Sequence, residues 1–186
     1  MGGRAGGGAS GGMGSGSRGG NTERGYSASL ARAVGDVEDR LRGNKYESLG
    51  VFDDTGKMTY FKKGEAHYVK YDPKAVRDKI VTHNHPSGAS FSHQDIEGMV
   101  ANNMKEMRIA GKEYTFSIKR PKGGWGATPA NAGAIVQHYD SQARVKFSKE
   151  KTNDVATNRK LWIKYSTEAT RKVAKYYGWD FSVKKN

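Results

Sequence analysis

The residues from 79 to 95 constrain the fold more than any other part of the chain, because they predict a strand, a tight turn and a helix in immediate succession. The β-branched residues within 79–82 indicate a strand that continues into His83. Residues 86–88, Pro-Ser-Gly, predict a turn. Ser92 is a residue type that caps helices, so a helix is expected to begin there. The turn therefore returns the first helical residues toward the end of the strand.

Three side chains in this run have the chemistry of metal ligands. Side chains alternate along a strand, so His83 and His85 are expected to point to one face. Asp95, in the first turn of the predicted helix, is brought back toward the two imidazoles. Two neutral histidines and a carboxylate form the ligand set of a catalytic zinc site, and non-haem iron sites share it. The sequence predicts one metal ion per chain at these three residues, with zinc and iron both open.

The same residues resemble the signature of a metalloprotease superfamily. The His-Asn-His-Pro-Ser-Gly stretch followed by Ser-x-x-Asp is similar to the motif of the JAB/MPN/JAMM metalloproteases, most closely their RadC-like branch. The resemblance covers residues 45–120. The family usually places seven residues between the second histidine and the serine, whereas this chain has six, residues 86–91. The turn is thus one residue shorter than in the family.

This resemblance implies a fold, a reaction and individual roles. The implied fold is an α/β, JAMM/MPN-like (cytidine-deaminase-like) α-β-α sandwich with a mixed central sheet. The implied activity is that of a hydrolase, a zinc-dependent peptidase or isopeptidase, with one Zn²⁺ on the three predicted ligands. Glu47, near the start of the first core strand, would be the general base. Ser92 would donate a hydrogen bond to the oxyanion, although it could equally serve only as a helix cap, and Glu47 could be an ordinary strand-edge residue.

Apolar spacing and turn residues predict the remaining elements. The spacing of Leu30, Val34, Val37 and Leu41 predicts an amphipathic helix. Asp72 followed by proline marks a helix start. In chain order the sequence predicts a helix over 27–42, a hairpin of strands 47–53 and 57–63, a further short strand at 67–71, a short helix over 73–79, the strand leading to His83, a helical stripe from Ser92 to near Gly111, a strand over 114–118, and a largely helical last third that ends in a strand at 179–183.

Composition divides the chain into three parts. The first 24 residues, with eleven glycines among the first twenty, predict a disordered tail or linker. Residues 25–128 form the predicted JAMM/RadC-like metal-binding core. Residues 129–186 form a predicted basic, helical C-terminal extension that packs on the core.

The net charge of +13 predicts association with polyanions. Residues 142–186 carry twelve Lys/Arg against four acidic residues. A solvated helix face would account for these cations as well as nucleic-acid contact does. The candidate nucleic-acid-binding residues are Arg159, Lys160, Lys164, Arg171, Lys172 and Lys175.

These observations leave a second function class open. A non-catalytic, nucleic-acid-associated module or a phage head-morphogenesis protein could retain the same fold, and the Gly-rich leader and basic tail look similar to such phage proteins. The expected partners are a protein or peptide substrate and nucleic acid. No stretch is long and apolar enough for a membrane span or a secretory signal, so a cytoplasmic or virion-associated location is expected. An HNH nuclease separates its residues by long intervals, and a cupin needs more strands.

Overall fold

Residues 26–186, as described by a computed structural model, form a mixed α/β fold with five helices and a six-stranded sheet. The predicted tail over residues 1–24 lies outside the described residues. No helix within 26–186 is long and apolar enough to cross a membrane. The elements are α1 (Ala28–Leu41), β1 (Ser48–Phe52), β2 (Met58–Lys63), α2 (Pro73–Val76), β3 (Ile80–Asn84), α3 (His93–Ala101), β4 (Glu106–Ala110), β5 (Tyr114–Lys119), α4 (Pro129–Glu150), α5 (Val155–Tyr177) and β6 (Asp180–Lys185).

The strand order is β2-β1-β3-β4-β5-β6, and only the β3–β4 pair is parallel. That pair is connected through α3, because parallel neighbours need a crossover connection. β1 runs antiparallel to β3, with Leu49 opposite His83. Extending this register by two residues puts Glu47 opposite His85. The pairing of β1 with β3 therefore brings the predicted base to the predicted ligands.

Helices cover both faces of the sheet. On one face, α1 packs Leu30 and Val34 against Phe52 and Ile80. On the other face lies the larger core, which joins the strands to α3, α4 and α5 through buried residues that include Leu49, Val51, Val81, Ile96, Met99, Val136 and Val173. The α/β class predicted from the sequence is confirmed. β6 pairs with β5 at the sheet edge, while the division at residue 128 stays a prediction.

A buried ionic cluster holds α1 to the sheet. The Arg108 guanidinium donates from Nε to Glu38 Oε1 at 2.6 Å and from Nη1 to Glu106 Oε1 at 3.1 Å. The Tyr26 hydroxyl donates to the other oxygen of Glu106 at 2.5 Å. Buried charges are tolerated when each is paired and hydrogen-bonded. Here Glu38 of α1 pairs with Arg108 of β4, and Glu106 of β4 is bonded to Arg108 and Tyr26.

Two predicted elements are wrong. No strand forms over 67–71, where the chain runs irregularly after β2. The predicted helical stripe toward Gly111 ends at Ala101, and the following segment is the central strand β4. Its apolar residues Met107 and Ile109 face the larger core, while Arg108 contacts the α1 side. This alternation of polar and apolar residues has the period of a strand. The prediction of a helix gave more weight to the helical spacing of the methionines than to this alternation.

Candidate metal centre

His83 and His85 lie at the C-terminal end of β3 and point to one face, as predicted. Their Nε2 atoms are 3.0 Å apart, and both side chains are buried. Asn84, between them, points the other way. Its side chain accepts a hydrogen bond from the Ser48 amide at 2.8 Å and donates to the Tyr46 carbonyl at 3.0 Å. The residue between the histidines thus fastens the start of β1 beside the site.

The tautomer of His85 is set by the turn that follows it. Its Nδ1 lies 3.0 Å from the Ala89 carbonyl oxygen. A carbonyl oxygen can only accept a hydrogen bond, so Nδ1 carries the proton and Nε2 faces the site. Metal-binding histidines are usually held in this way. The Nδ1 of His83 is buried and has no hydrogen-bond partner in the described part of the chain, so this imidazole makes its polar contacts through Nε2.

Asp95 reaches both imidazoles despite the shorter turn. Its Oδ1 is 3.1 Å from His83 Nε2, and its Oδ2 is 3.3 Å from His85 Nε2. A capping box at the start of α3 holds the carboxylate: Ser92 donates to Oδ2 from its amide and from its hydroxyl, each at 2.7 Å. The Ser92 hydroxyl oxygen accepts from the Asp95 amide at 3.2 Å. Ser92 is therefore both the cap of α3 and the residue that orients Asp95.

Glu47 joins the same group from the residue before β1. Its backbone is fixed by two hydrogen bonds to residues 64 and 65, at 2.8 and 2.7 Å. The ligand atoms of Glu47, His83 and His85 lie within 4.8 Å of one another, and these three residues could hold a metal ion. Burial raises the pKa of the Glu47 carboxyl and outweighs the opposite effect of the two imidazoles. Glu47 is thus a better proton acceptor than an exposed glutamate.

The donor atoms lie close enough to one another to share one ion. Zinc held by nitrogen and oxygen ligands at about 2.0–2.1 Å places neighbouring ligand atoms about 3.3 Å apart. The two Nε2 atoms are 3.0 Å apart, the His83 Nε2 is 3.1 Å from Asp95 Oδ1, and the His85 Nε2 is 3.3 Å from Asp95 Oδ2. The two Asp95 distances involve different oxygens of the carboxylate, so this spacing places the donors within reach of one ion. Nitrogen and oxygen donors of this kind do not distinguish zinc from iron.

The charges of this cluster depend strongly on one another. Burial alone raises the pKa of Asp95, but the two imidazoles outweigh it and hold that pKa well below its usual range. Burial alone lowers the pKa of His85, but the charge and hydrogen bond of Asp95, with the charge of Glu47, raise it to about 9. The metal-free site is therefore an ion pair of His85 and Asp95. A bound cation replaces the imidazole proton as the partner of the carboxylate.

A cleft of about 680 Å³ leads to this centre. The irregular segment after β2 and the helices α4 and α5 contribute to its lining. The lining residues from these elements are His67, Tyr68, Val69 and Tyr71 from the irregular segment and Asp140, Arg144, Trp162 and Ser166 from the two helices. The sequence did not predict these residues as part of the site, because they are distant in the chain from the metal motif and follow no local pattern.

Helix α5 is held against the turn of the motif. The Ser90 amide donates to the Ser166 hydroxyl at 3.2 Å. Gly88 has φ of +77°, and a Cβ at this position would lie 3.1 Å from Ile163 Cδ1. Glycine is favoured here because a side chain would be strained by the left-handed backbone and would crowd the side chains of the adjacent helix. The wall of the cleft is thus packed directly on the residues between His85 and Ser92.

The predicted nucleic-acid residues divide into two groups. Four of them lie within about 60° of one another around the helix axis and follow the exposed face of α5 for about 22 Å; they are Lys160, Lys164, Arg171 and Lys175. Arg159 instead packs beside Gly88, with Nη2 3.3 Å from the position of a Cβ there. Lys172 donates to Gln142 Oε1 at 3.2 Å. The first four therefore share one exposed side of α5.

Comparisons with known proteins do not identify a family. No family model, no curated protein and no solved structure matches the chain. The resemblance to the JAMM metalloproteases, and the implied α-β-α sandwich of that superfamily, stay predictions that rest on the motif.

Proposed function

We propose that this protein is a zinc-dependent peptidase or isopeptidase of the JAMM type, with the JAMM/MPN-like α-β-α sandwich. The observation that carries the proposal is the convergence of His83, His85, Asp95 and Glu47 at the end of a cleft. Glu47 lies outside residues 83–95, which contain the other three, so its position beside them depends on the pairing of β1 with β3. A substrate segment could reach them because the cleft is open to solvent.

The residues divide into ligands and a base. Zn²⁺ would be held by His83, His85 and Asp95, and when bound it would supply a Lewis acid that polarises an amide carbonyl and lowers the pKa of water toward about 7. Glu47 accepts the proton of the attacking water and passes it to the leaving amine. The raised pKa of Glu47 suits both the uptake and the transfer of this proton, because a carboxylate of low pKa binds a proton too weakly to accept it from water and keep it until the amine leaves.

Ser92 contributes through Asp95. Its hydroxyl donates to Asp95 Oδ2, and this fixes the carboxylate that faces both imidazoles. A hydrogen bond to an oxyanion would require the hydroxyl to exchange this partner. We therefore assign Ser92 first to positioning Asp95, and keep the oxyanion role as a further step of the proposal.

Metal content and amide cleavage test this proposal. Protein purified without a His-tag is expected to contain about one zinc per chain, and the double variant His83→Ala/His85→Ala is expected to contain none. His138→Ala, which removes an exposed imidazole on α4, is the matched control and should keep the metal. Glu47→Gln should retain zinc but lose cleavage in a peptide-library screen. An iron-loaded or metal-free wild-type protein would contradict the proposal.

A second function is favoured by the basic face of α5. Four cations along about 22 Å are suited to contact the phosphates of a nucleic-acid backbone. The affinity of a protein for nucleic acid through such contacts falls with added salt. Replacing Lys160, Lys164, Arg171 and Lys175 with glutamine should then abolish binding to double-stranded DNA at 50 mM salt. The same number of substitutions at exposed lysines elsewhere, Lys57, Lys62, Lys74 and Lys122, is the control. Equal losses in both variants would indicate only a general effect of charge.

A further inference from the structure

Arg144 on α4 is a cation held in place at the wall of the cleft. Its Nε donates to Asp140 Oδ2 at 2.8 Å, and the guanidinium carbon lies 4.9 Å from the centre of the Trp162 ring. All three residues line the cleft. In the described chain no hydrogen bond engages the two terminal nitrogens of Arg144. A guanidinium fixed by one nitrogen and by an aromatic face keeps its paired donors for a ligand.

Tyr68 is a second aromatic residue of the cleft. It is 53% exposed and lines the same cleft as Trp162. The Lys70 ammonium lies 6.0 Å from the centre of the Tyr68 ring. A peptide in the cleft would thus meet the rings of Trp162 and Tyr68 beside the guanidinium of Arg144.

Two of the three carboxylates of the cleft are engaged within the chain. Asp95 lies beside both imidazoles and accepts from Ser92, and Asp140 accepts from Arg144. The third, Glu47, is the proposed base beside the imidazoles. A substrate carboxylate in the cleft would meet the terminal donors of Arg144.

We propose that Arg144 forms a carboxylate-binding subsite and that the substrate is an acidic polypeptide segment, with Asp or Glu near the amide that reaches the metal centre. This inference rests on the proposed peptidase function for its substrate role. A nucleic acid fits less well, because it brings a phosphate to every nucleotide and so also toward Glu47 and Asp95. A peptide can place one carboxylate at Arg144 and neutral atoms elsewhere.

Binding can be measured without any cleavage. Trp125 and Trp179 are each 5% exposed, whereas Trp162 is only partly buried and lines the cleft, so a ligand in the cleft changes the fluorescence of Trp162. The probes are two acetylated, amidated ten-residue peptides, one alternating Glu with Ala and the other Gln with Ala. A third probe is a ten-nucleotide single-stranded DNA. Titrations are made in EDTA, so that the carboxylates have no metal to bind.

The wild-type protein should bind the Glu peptide about threefold more tightly than the Gln peptide, because the Arg144 side chain is 66% exposed and an ion pair in contact with solvent is weak. Arg144→Gln should bring this ratio to about one while the circular-dichroism spectrum stays unchanged. Arg40→Gln, which removes an exposed arginine of α1 outside the cleft, should keep the preference.

Three results would overturn the subsite: equal affinities for the two peptides in the wild type, a preference that survives in Arg144→Gln, or tighter DNA binding that is lost in that variant. None of these readings depends on zinc or on cleavage. Failure of the peptidase proposal is therefore distinguishable from failure of the subsite.

Discussion

Replacing Ser92 with alanine removes two contacts that serve different purposes. The hydroxyl oxygen accepts from the Asp95 amide at 3.2 Å, and the hydroxyl proton is donated to Asp95 Oδ2 at 2.7 Å. Loss of a helix cap costs about 1 kcal/mol of stability. Loss of a group that orients a metal ligand costs about 10- to 100-fold in metal affinity. Because the Ser92 amide still donates to Oδ2, we expect the smaller value, about tenfold.

The measurement separates the two effects with a matched control. Ser27→Ala removes a cap on α1 with the same geometry, a 3.2 Å bond from the Leu30 amide, on the other side of the sheet. Urea unfolding in EDTA should show losses of about 1 kcal/mol for both variants. Competition with a chromophoric chelator should show weaker Zn²⁺ binding for Ser92→Ala alone. Equal zinc affinities in the two variants would refute the claim that Ser92 orients Asp95.

Two further predictions concern charge. Glu38→Gln leaves the Arg108 guanidinium buried without its closest carboxylate, so urea unfolding should show a loss of about 3 kcal/mol; Asp39→Asn, whose side chain is 74% exposed, should lose less than about 1 kcal/mol, and similar losses would contradict the reasoning. In EDTA, protonation of His85 stabilises the folded protein, because the pKa of His85 is raised to about 9 by folding. This contribution is complete below the pKa of the unfolded chain, about 6.5, and disappears as the pH rises through about 9. Unfolding measured from pH 6 to 10 should show this fall in the wild type but not in Asp95→Asn, which lacks the opposing charge.

Local signals predicted those parts of the fold that neighbouring residues determine. The helix starts at Asp72 and Ser92 are where the sequence indicated them. Each depends on a side chain that accepts from a backbone amide two or three residues away, so no distant contact is needed. The β1–β2 hairpin is confirmed for the same reason.

Predictions failed where the local pattern was compatible with two structures. Met104 and Met107 continue a helical spacing from α3, yet the helix stops and Asn103 takes φ of +50°. The strand β4 forms because it completes the middle of the sheet between β3 and β5. The pattern of about ten neighbouring residues contains no information on this pairing, because the partner strands lie elsewhere in the chain. Residues 67–71, predicted as a strand, pair with no strand in the described part of the chain, and His67, Tyr68, Val69 and Tyr71 line the cleft.

The sequence by itself determined which residues are the donors of the candidate metal centre, and that Ser92 at the start of α3 lies beside Asp95. Two histidines with strand spacing, a turn and a capping serine suffice to bring Asp95 to the imidazoles, because all these contacts span few residues. Only the tertiary structure placed Glu47 opposite His85, since that depends on the register of β1 on β3. It alone set Arg144 and Trp162 at the wall of the cleft, because the packing of two helices against a distant turn leaves no periodic trace in the chain.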